Sequence, residues 1–523
     1  MFRRVTQQTW RHPQRRGSEM PGGSTRGTFR VEVGARPNFT GESAADRPLH
    51  IVLLGAFSGQ SNRGDGAARV PIAERTPITI DRDNFDEVMA RVAPTLALAW
   101  PGEPESSITL QFAGIDDFHP DQLYQRLPSF KALRLARDQL ADPHAIPDSV
   151  TDLLPEKPIA SPKPPAPADL AAPGDLLDQI VGQASGEAAV LDPVGSDLDD
   201  YIRGIVAPHL IPRDHPGQAK LLEAVDAQVV AQMRRLLHHT DYQALEALWR
   251  GVFFLCRRLE TGATLKLYVV DVSKQDLSAD QAPEIDLQES GLYRLLVEST
   301  VGTPGVVPWG LLVGCYSFGP DMADVKLVGR LAAIARLAGA PWVSAAEPSL
   351  VGAASFRGMP DPREWGREED TAWDALRLLP QASSLGLVLP RFLLRLPYGA
   401  ATDACELLDF EEMSLPLEHE EYLWGNPALL VAFLAADRAA GGRDDTPIGA
   451  RLEVGGLPLH VFDSKGDPTL QPCAEASFTE RAAEAVMDRG IMPLLWVKDT
   501  DRVRLARLQS VADPTTQLAR GWL

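Results

Sequence analysis

Between residues 241 and 260 the apolar positions Leu245, Leu248, Trp249, Val252 and Cys256 recur at the spacing of one helical face, and the stretch reads as an amphipathic helix. Glu246 and Arg250 stand four apart in it and read as an exposed pair. Gly251 is the odd residue, because glycine inside a helix costs about 1 kcal/mol relative to alanine, so its place there implies a close approach by another element. Elsewhere the pattern is of short apolar runs bounded by Gly and Pro. Residues 28–34, 49–59, 107–112, 264–273, 309–318, 341–347, 384–390, 457–463 and 491–498 read as strands, and most of them as buried ones. Residues 81–96 read as a helix capped by Asp83, residues 119–140 as one helix with Pro120 in its first turn, and residues 423–430 as a helix start with Asn426 capping and Pro427 behind it. The last helix, 477–490, carries a capping box of Ser477 with Glu480 and a terminal Gly490.

Strands alternating with helices predict an α/β fold with a sheet covered on both faces. The alternation is interrupted once. Residues 143–173 hold nine prolines and cannot build a helix or a sheet, so they predict an extended spacer. The chain then divides into a basic tail (1–27), a smaller α/β unit (28–142), a Pro-rich linker (143–174) and a larger α/β unit (175–523). The first sixteen residues hold five arginines and no acid but no apolar core, so they read as a tail rather than a signal peptide.

Composition narrows the function classes. A net charge of −20 and a pI near 5.0 argue against a nucleic-acid footprint and against docking to an anionic membrane. No apolar run is long enough for a spanning helix, so no membrane insertion is expected. The four cysteines lie far apart without CxxC or histidine at ligand spacing, which predicts neither a zinc site nor a disulfide framework and favours a reducing, cytoplasmic location.

Signals for chemistry are sparse. There is no Walker phosphate loop, no GxSxG elbow and no HExxH pair. The glycines of 59–66 match no dinucleotide fingerprint. His238 and His239 are adjacent, diverge on a helix and read as surface residues. The acidic run Glu411, Glu412, Glu418, Glu420, Glu421 reads as a solvated face or a contact for a basic partner. Arg391 and Arg395 lie in an apolar setting and need partners, which the acids of 409–412 can supply. No catalytic residue, metal ligand or cofactor site emerges, so the expectation is a protein that is not an enzyme and uses no cofactor. An enzyme with a site assembled from scattered residues is the distant alternative.

Several of these stretches together carry a resemblance. Residues 49–59, 77–94 and 108–140 resemble the small subunit of the type VI secretion contractile sheath. Residues 238–260, 265–277, 307–320, 331–346, 385–399, 410–412, 423–435 and 489–501 resemble its large subunit, in the expected order. The resemblance implies an intertwined heterodimer, here made intramolecular by the spacer at an effective concentration of about millimolar. It also implies a bacterial, cytoplasmic particle that assembles with other sheath subunits or copies of itself around an inner-tube protein, on baseplate proteins. Trp249, Arg250, Gly251, Arg391, Arg395, Pro397, Tyr398, Trp424, Gly425 and Asn426 fall in its structural motifs. Leu176, Leu177, Ile180 and Val181 resemble the segment gripped by a sheath-recycling ring ATPase. Three departures accompany the match: Ala56 stands where small subunits typically carry an acid, the helical tail after 140 is cut short by prolines, and the sequence does not run on into the C-terminal arm through which large subunits mesh by strand addition. A sheath-like adaptor, end-cap, baseplate part or assembly regulator that does not polymerise is therefore the alternative reading.

Overall fold

The computed structural model describes residues 48–60, 70–100, 103–141, 216–301, 303–357, 361–366, 371–414, 416–440, 452–464 and 466–518, all of them within one compact unit. The basic tail, the strand expected at 28–34, most of the glycine-rich stretch, the Pro-rich spacer and both of its boundaries, and the segment 175–188 lie outside the described residues.

Fifteen strands are present among them. Nine form a single sheet: β1 (Leu49–Gly55), β2 (Ile78–Ile80), β5 (Leu265–Asp271), β6 (Leu311–Phe318), β7 (Trp342–Ala346), β8 (Leu385–Leu389), β11 (Glu453–Val454), β14 (Met492–Trp496) and β15 (Val503–Leu505). Three hairpins or ribbons complete the set: β3 (Thr95–Trp100) with β4 (Glu103–Gln111), β9 (Phe392–Leu393) with β10 (Trp424–Gly425), and β12 (His460–Ser464) with β13 (Asp467–Gln471). The sheet order is β11-β15-β14-β8-β7-β6-β1-β5-β2.

The α/β class and the two regions are as the sequence leads one to expect, and the join between the regions goes further than packing. β1, from the N-terminal region, lies between β5 and β6 of the C-terminal region and is parallel to both, with Ile51 opposite Leu267 on one side and Leu311 on the other. β2 adds antiparallel to β5 at the sheet's end. Because side chains alternate across a strand, Ile51 and Leu53 enter the core on one face, and Val52 and Leu54 enter the core on the other; all four are fully buried.

Helices cover both faces. On the first lie α1 (Phe85–Val92), α2 (Pro120–Arg126), α3 (Pro128–Ala141), α4 (Pro216–Leu237) and α5 (Thr240–Arg258), joined later in the chain by α9 (Ala428–Ala440). On the second lie α7 (Met322–Ala338), α8 (Thr371–Arg377) and α10 (Glu480–Asp488), while α6 (Lys274–Asp280) follows β5 directly. The first core is continuous across the two regions: Phe57, Phe85, Phe118 and Phe130 share it with Val229, Tyr242, Trp249 and Leu429.

Several local expectations are corrected. The helix read over 119–140 is two helices, because Pro128 offers no N–H and holds Leu127 in an extended conformation (ψ 131). Asn84, not Asp83, precedes α1: the Asp81 carboxylate accepts from Asp83 N and Asn84 N at 2.9 and 3.0 Å, so the turn persists one residue longer. α10 is capped not by Ser477 but by Thr479, which is extended (ψ 160) and whose hydroxyl accepts from Ala482 N at 3.2 Å. The run 457–463 is no buried sheet strand. It supplies the exposed β12–β13 hairpin, where Val461 is 56% exposed, and a short apolar run by itself does not say which sheet it joins.

With β1 held between two strands of the C-terminal region, the two regions should stay together without a covalent tie. A protease site placed within 143–173 and cut in the purified full chain should leave two fragments that co-elute in size exclusion and separate only in denaturant. Separation in native buffer would contradict the shared sheet.

Candidate functional site

The residues singled out in the sequence converge on the seam between the regions and on a buried ion cluster beneath it. α5 supplies the seam's aromatic anchor. Trp249 Nε1 donates to Phe57 O at 2.9 Å, and its ring meets Phe57 and Phe85 edge-on at 5.3 and 5.8 Å. Two turns earlier Tyr242 donates to Phe118 O at 2.9 Å. Gly251 lies on the far side, where a Cβ would overlap Leu429 Cδ1; the close approach is that of α9, so glycine's helix penalty is offset by packing.

Glu246 is fully buried. Its Oε1 accepts from Arg250 Nε at 2.6 Å and Arg395 Nε at 2.8 Å, and its Oε2 accepts from Arg395 Nη2 at 3.2 Å. Arg395 then donates through Nη1 and Nη2 to both oxygens of Glu412, at 2.6 and 2.9 Å, a two-pronged pairing that matches the guanidinium's planar fork. Arg250 Nη2 donates to Tyr398 OH at 2.8 Å, Tyr398 N donates to Glu412 at 2.7 Å, and Arg395 stacks over the Tyr398 ring at 4.3 Å. The cluster is closed, with two buried carboxylates facing two arginines. Burial opposes the charge on Glu412, but Arg395, with His238 and Tyr398 N–H, carries its carboxyl down to about 2.

The N-terminal region holds the loop bearing this cluster. His119 meets the Tyr398 ring edge-on at 4.9 Å, and the Asp121 carboxylate accepts from Glu406 N and Leu407 N at 2.9 and 3.1 Å. A second ion group lies nearby. Arg391 donates to Glu475 at 2.8 Å and to Glu420 at 3.0 Å, with His419 3.3 Å from Glu475. Burial again works against the charge on Glu475, and His419 with Arg391 brings it down to about 2. His419, Glu420 and Glu475 are close enough together to suggest cation ligands, yet Arg391 already supplies their positive charge.

The remaining positions have structural partners. Pro397 O accepts from Thr402 Oγ1; Trp424 Nε1 donates to His419 O at 2.9 Å; Gly425 faces Phe392 where a side chain would meet Leu394; Asn426 caps α9 through Ala428 N at 3.0 Å and ties it to Tyr316 O at 3.1 Å. Leu176, Leu177, Ile180 and Val181 lie outside the described residues. Burial pushes each of the four unpaired cysteine thiols up to about 12, far from thiolate chemistry.

Comparison with known proteins decides what these features belong to. The family profile described as EvpB/VC_A0108, tail sheath N-terminal domain, matches residues 219–512, and that described as Type VI secretion system, VipA, VC_A0107 or Hcp2, matches residues 26–152. The chain belongs to the type VI secretion tail-sheath family. It joins a small-subunit-like and a large-subunit-like region in one polypeptide. It is 33% identical over 310 residues to the sheath protein TssC1 of Pseudomonas aeruginosa, covering 56% of this chain and 61% of that protein. It is 35% identical over 105 residues to TssB1 of the same organism, covering 19% of this chain and 59% of that protein. The chain thus spans about three fifths of each of these relatives.

Three readings made from the sequence change in this sheath-family fold. Glu246 is buried and Arg250 only partly exposed, Glu412 is paired inside rather than solvated, and His238 sits 3.7 Å from Glu412 and 3.6 Å from Glu421 rather than free on the surface. The signal for Glu246 was its position four residues after Tyr242 and three before Trp249, on the stripe that turned out to be inside. Nothing local marked Glu475.

Removing one member of the cluster strands the others. Arg395→Met should cost about 3–5 kcal/mol in urea unfolding, because it leaves Glu246 and Glu412 buried without their shared counter-charge. In the unfolded chain Glu412 and Glu475 take up protons near 4.5, in the fold only near 2. The unfolded state therefore binds protons first as pH falls, and the stabilisation, complete above that range, is lost between about 4.5 and 2. Urea midpoints across this window should fall more steeply for the parent than for Glu412→Gln; equal slopes would contradict the assignment.

Proposed function

We propose that the chain is a fused sheath protomer, a structural component of a type VI contractile sheath that assembles with copies of itself or other sheath subunits around an inner-tube protein to power effector translocation. The observation that carries this reading is β1 inside the large region's sheet, in a chain matched by both sheath-subunit profiles. A joint core of this kind makes the pair one rigid building block, and contraction needs blocks that slide without coming apart. No helix among the described residues is long and apolar enough to cross a membrane, in keeping with work in the bacterial cytoplasm. The buried, mutually neutralised ions support a structural rather than a catalytic role, so the protein acts as a scaffold and not as an enzyme.

Inner tube, baseplate and recycling ATPase follow as partners from this assignment. Negative-stain microscopy of the purified protein, alone and with inner-tube protein, should reveal long tubes with a helical surface. Discrete particles under both conditions would instead identify a non-propagating adaptor or cap. A peptide covering residues 174–186, with Leu176, Leu177, Ile180 and Val181, should bind the ring ATPase and lose binding when these four are changed to serine; absence of binding by the parent peptide removes that partner.

A further inference from the structure

Arg377 ends α8 and is only 7% exposed. Its carbonyl accepts from Asp513 N at 2.9 Å, and its Nε donates to Val511 O at 3.0 Å. Those bonds hold the residue at its backbone and at the root of its guanidinium. Among the described residues Nη1 and Nη2 have no hydrogen-bond partner and no carboxylate at ion-pair distance. Burial lowers the pKa of the group, with Asp513 pulling the other way. A buried polar group left in this state calls for a reason, and Arg395, with every branch of its guanidinium bonded, shows how the same fold treats a structural arginine.

The free end of Arg377 lines a cavity of about 330 Å³, at the small end of the range of about 300–1,000 Å³ for ligand sites. The walls are braced. Gln509, 1% exposed, donates through Nε2 to Met487 O at 3.0 Å and Ile491 O at 3.1 Å, which ties it to the end of α10, and its Oε1 has no partner. Ser510 N donates to Thr516 O at 2.8 Å and closes the loop between them, while Val511 N donates to Leu385 O at 2.9 Å and anchors that loop to the start of β8. The cation lies deep and the acids lie outside it: Glu484, Asp488 and Asp513 line the same cavity and are exposed, as is Arg507. Three carboxylates against two guanidiniums leave the lining at −1. A plain anion meets that negative rim, and a plain cation meets Arg377. A molecule with both charges satisfies both, its carboxylate matching the planar fork and its ammonium matching the rim.

We propose that this cavity binds a small zwitterion of the α-amino-acid class, with the carboxylate held by Arg377 Nη1 and Nη2 and the ammonium by the rim acids Glu484, Asp488 and Asp513. The site is built within a single chain, so its occupancy neither needs nor tests the sheath assignment.

The test is saturation-transfer NMR on the full chain, titrated separately with L-alanine, acetate and ethylammonium at equal ionic strength. L-alanine should bind, and acetate and ethylammonium should each bind about threefold or more weakly, as expected for losing one exposed ion pair or the fork. Arg377→Gln should raise the Kd of L-alanine about tenfold or more, as expected for losing two bonds to a charged acceptor. Should Arg377→Gln not fold, Asp513→Asn alters only an exposed side chain and keeps the backbone bond to Arg377 O. It should weaken L-alanine while strengthening acetate, a reversal that a merely structural role would not produce. No signal from L-alanine with the parent chain, acetate binding as tightly as L-alanine, an unchanged Kd in Arg377→Gln, or parent-like binding of both probes by Asp513→Asn overturns the proposal.

Discussion

The fold depends on one strand being hydrogen-bonded on both edges by partners more than two hundred residues away. β1 pairs with β5 along its length and with β6 from Ile51 to Leu54, so the sheet is not complete without both regions. Ile51 to Leu54 then bury alternately into two cores, and burial of such side chains is worth about 1.5–3 kcal/mol each. Taking β1 away would expose two facing strand edges and both cores at once, an aggregation hazard of the kind natural proteins avoid. The small region is an integral layer of the large one.

The polar contacts follow from that placement. Once β1 is fixed, its following loop lies over the end of β5, where Asp271 meets Ser58 and Gln60, and α5 lies beneath it, where Trp249 meets Phe57. α5 also brings Glu246 under the loop that carries Arg395 and Tyr398. Buried charge of this type gives little net stability against an apolar replacement, yet breaking one partner is costly. The cluster therefore serves register: Arg395 must bridge Glu246 and Glu412 together, which sets one position for the 396–412 loop relative to α5. His119 and Asp121 fix that same loop from the N-terminal side.

Among the described residues His238 lies beside Glu421 and His419 beside Glu475, and burial pushes the four cysteine thiols up to about 12.

Apolar patterning alone made much of this legible. The runs at 49–59, 264–273, 309–318, 341–347, 384–390 and 491–498 hold strands of the main sheet, as continuous apolar residues between Gly and Pro suggest, and the periodic 241–260 stretch is a helix. The need of Arg395 for a partner among 409–412 could be read from the cost of unpaired charge. Gly251 announced a close approach, although not that α9 makes it. Tertiary structure alone decided the rest, since the deciding contacts are long-range. Nothing local tells β1 to lie between two strands of the other region, Glu246 to face inward, or Asp271 to meet Ser58 and Gln60. Period and propensity act over a few residues, whereas strand order, the sign of burial for a charged side chain, and the identity of its counter-ion are settled by what the finished fold brings alongside.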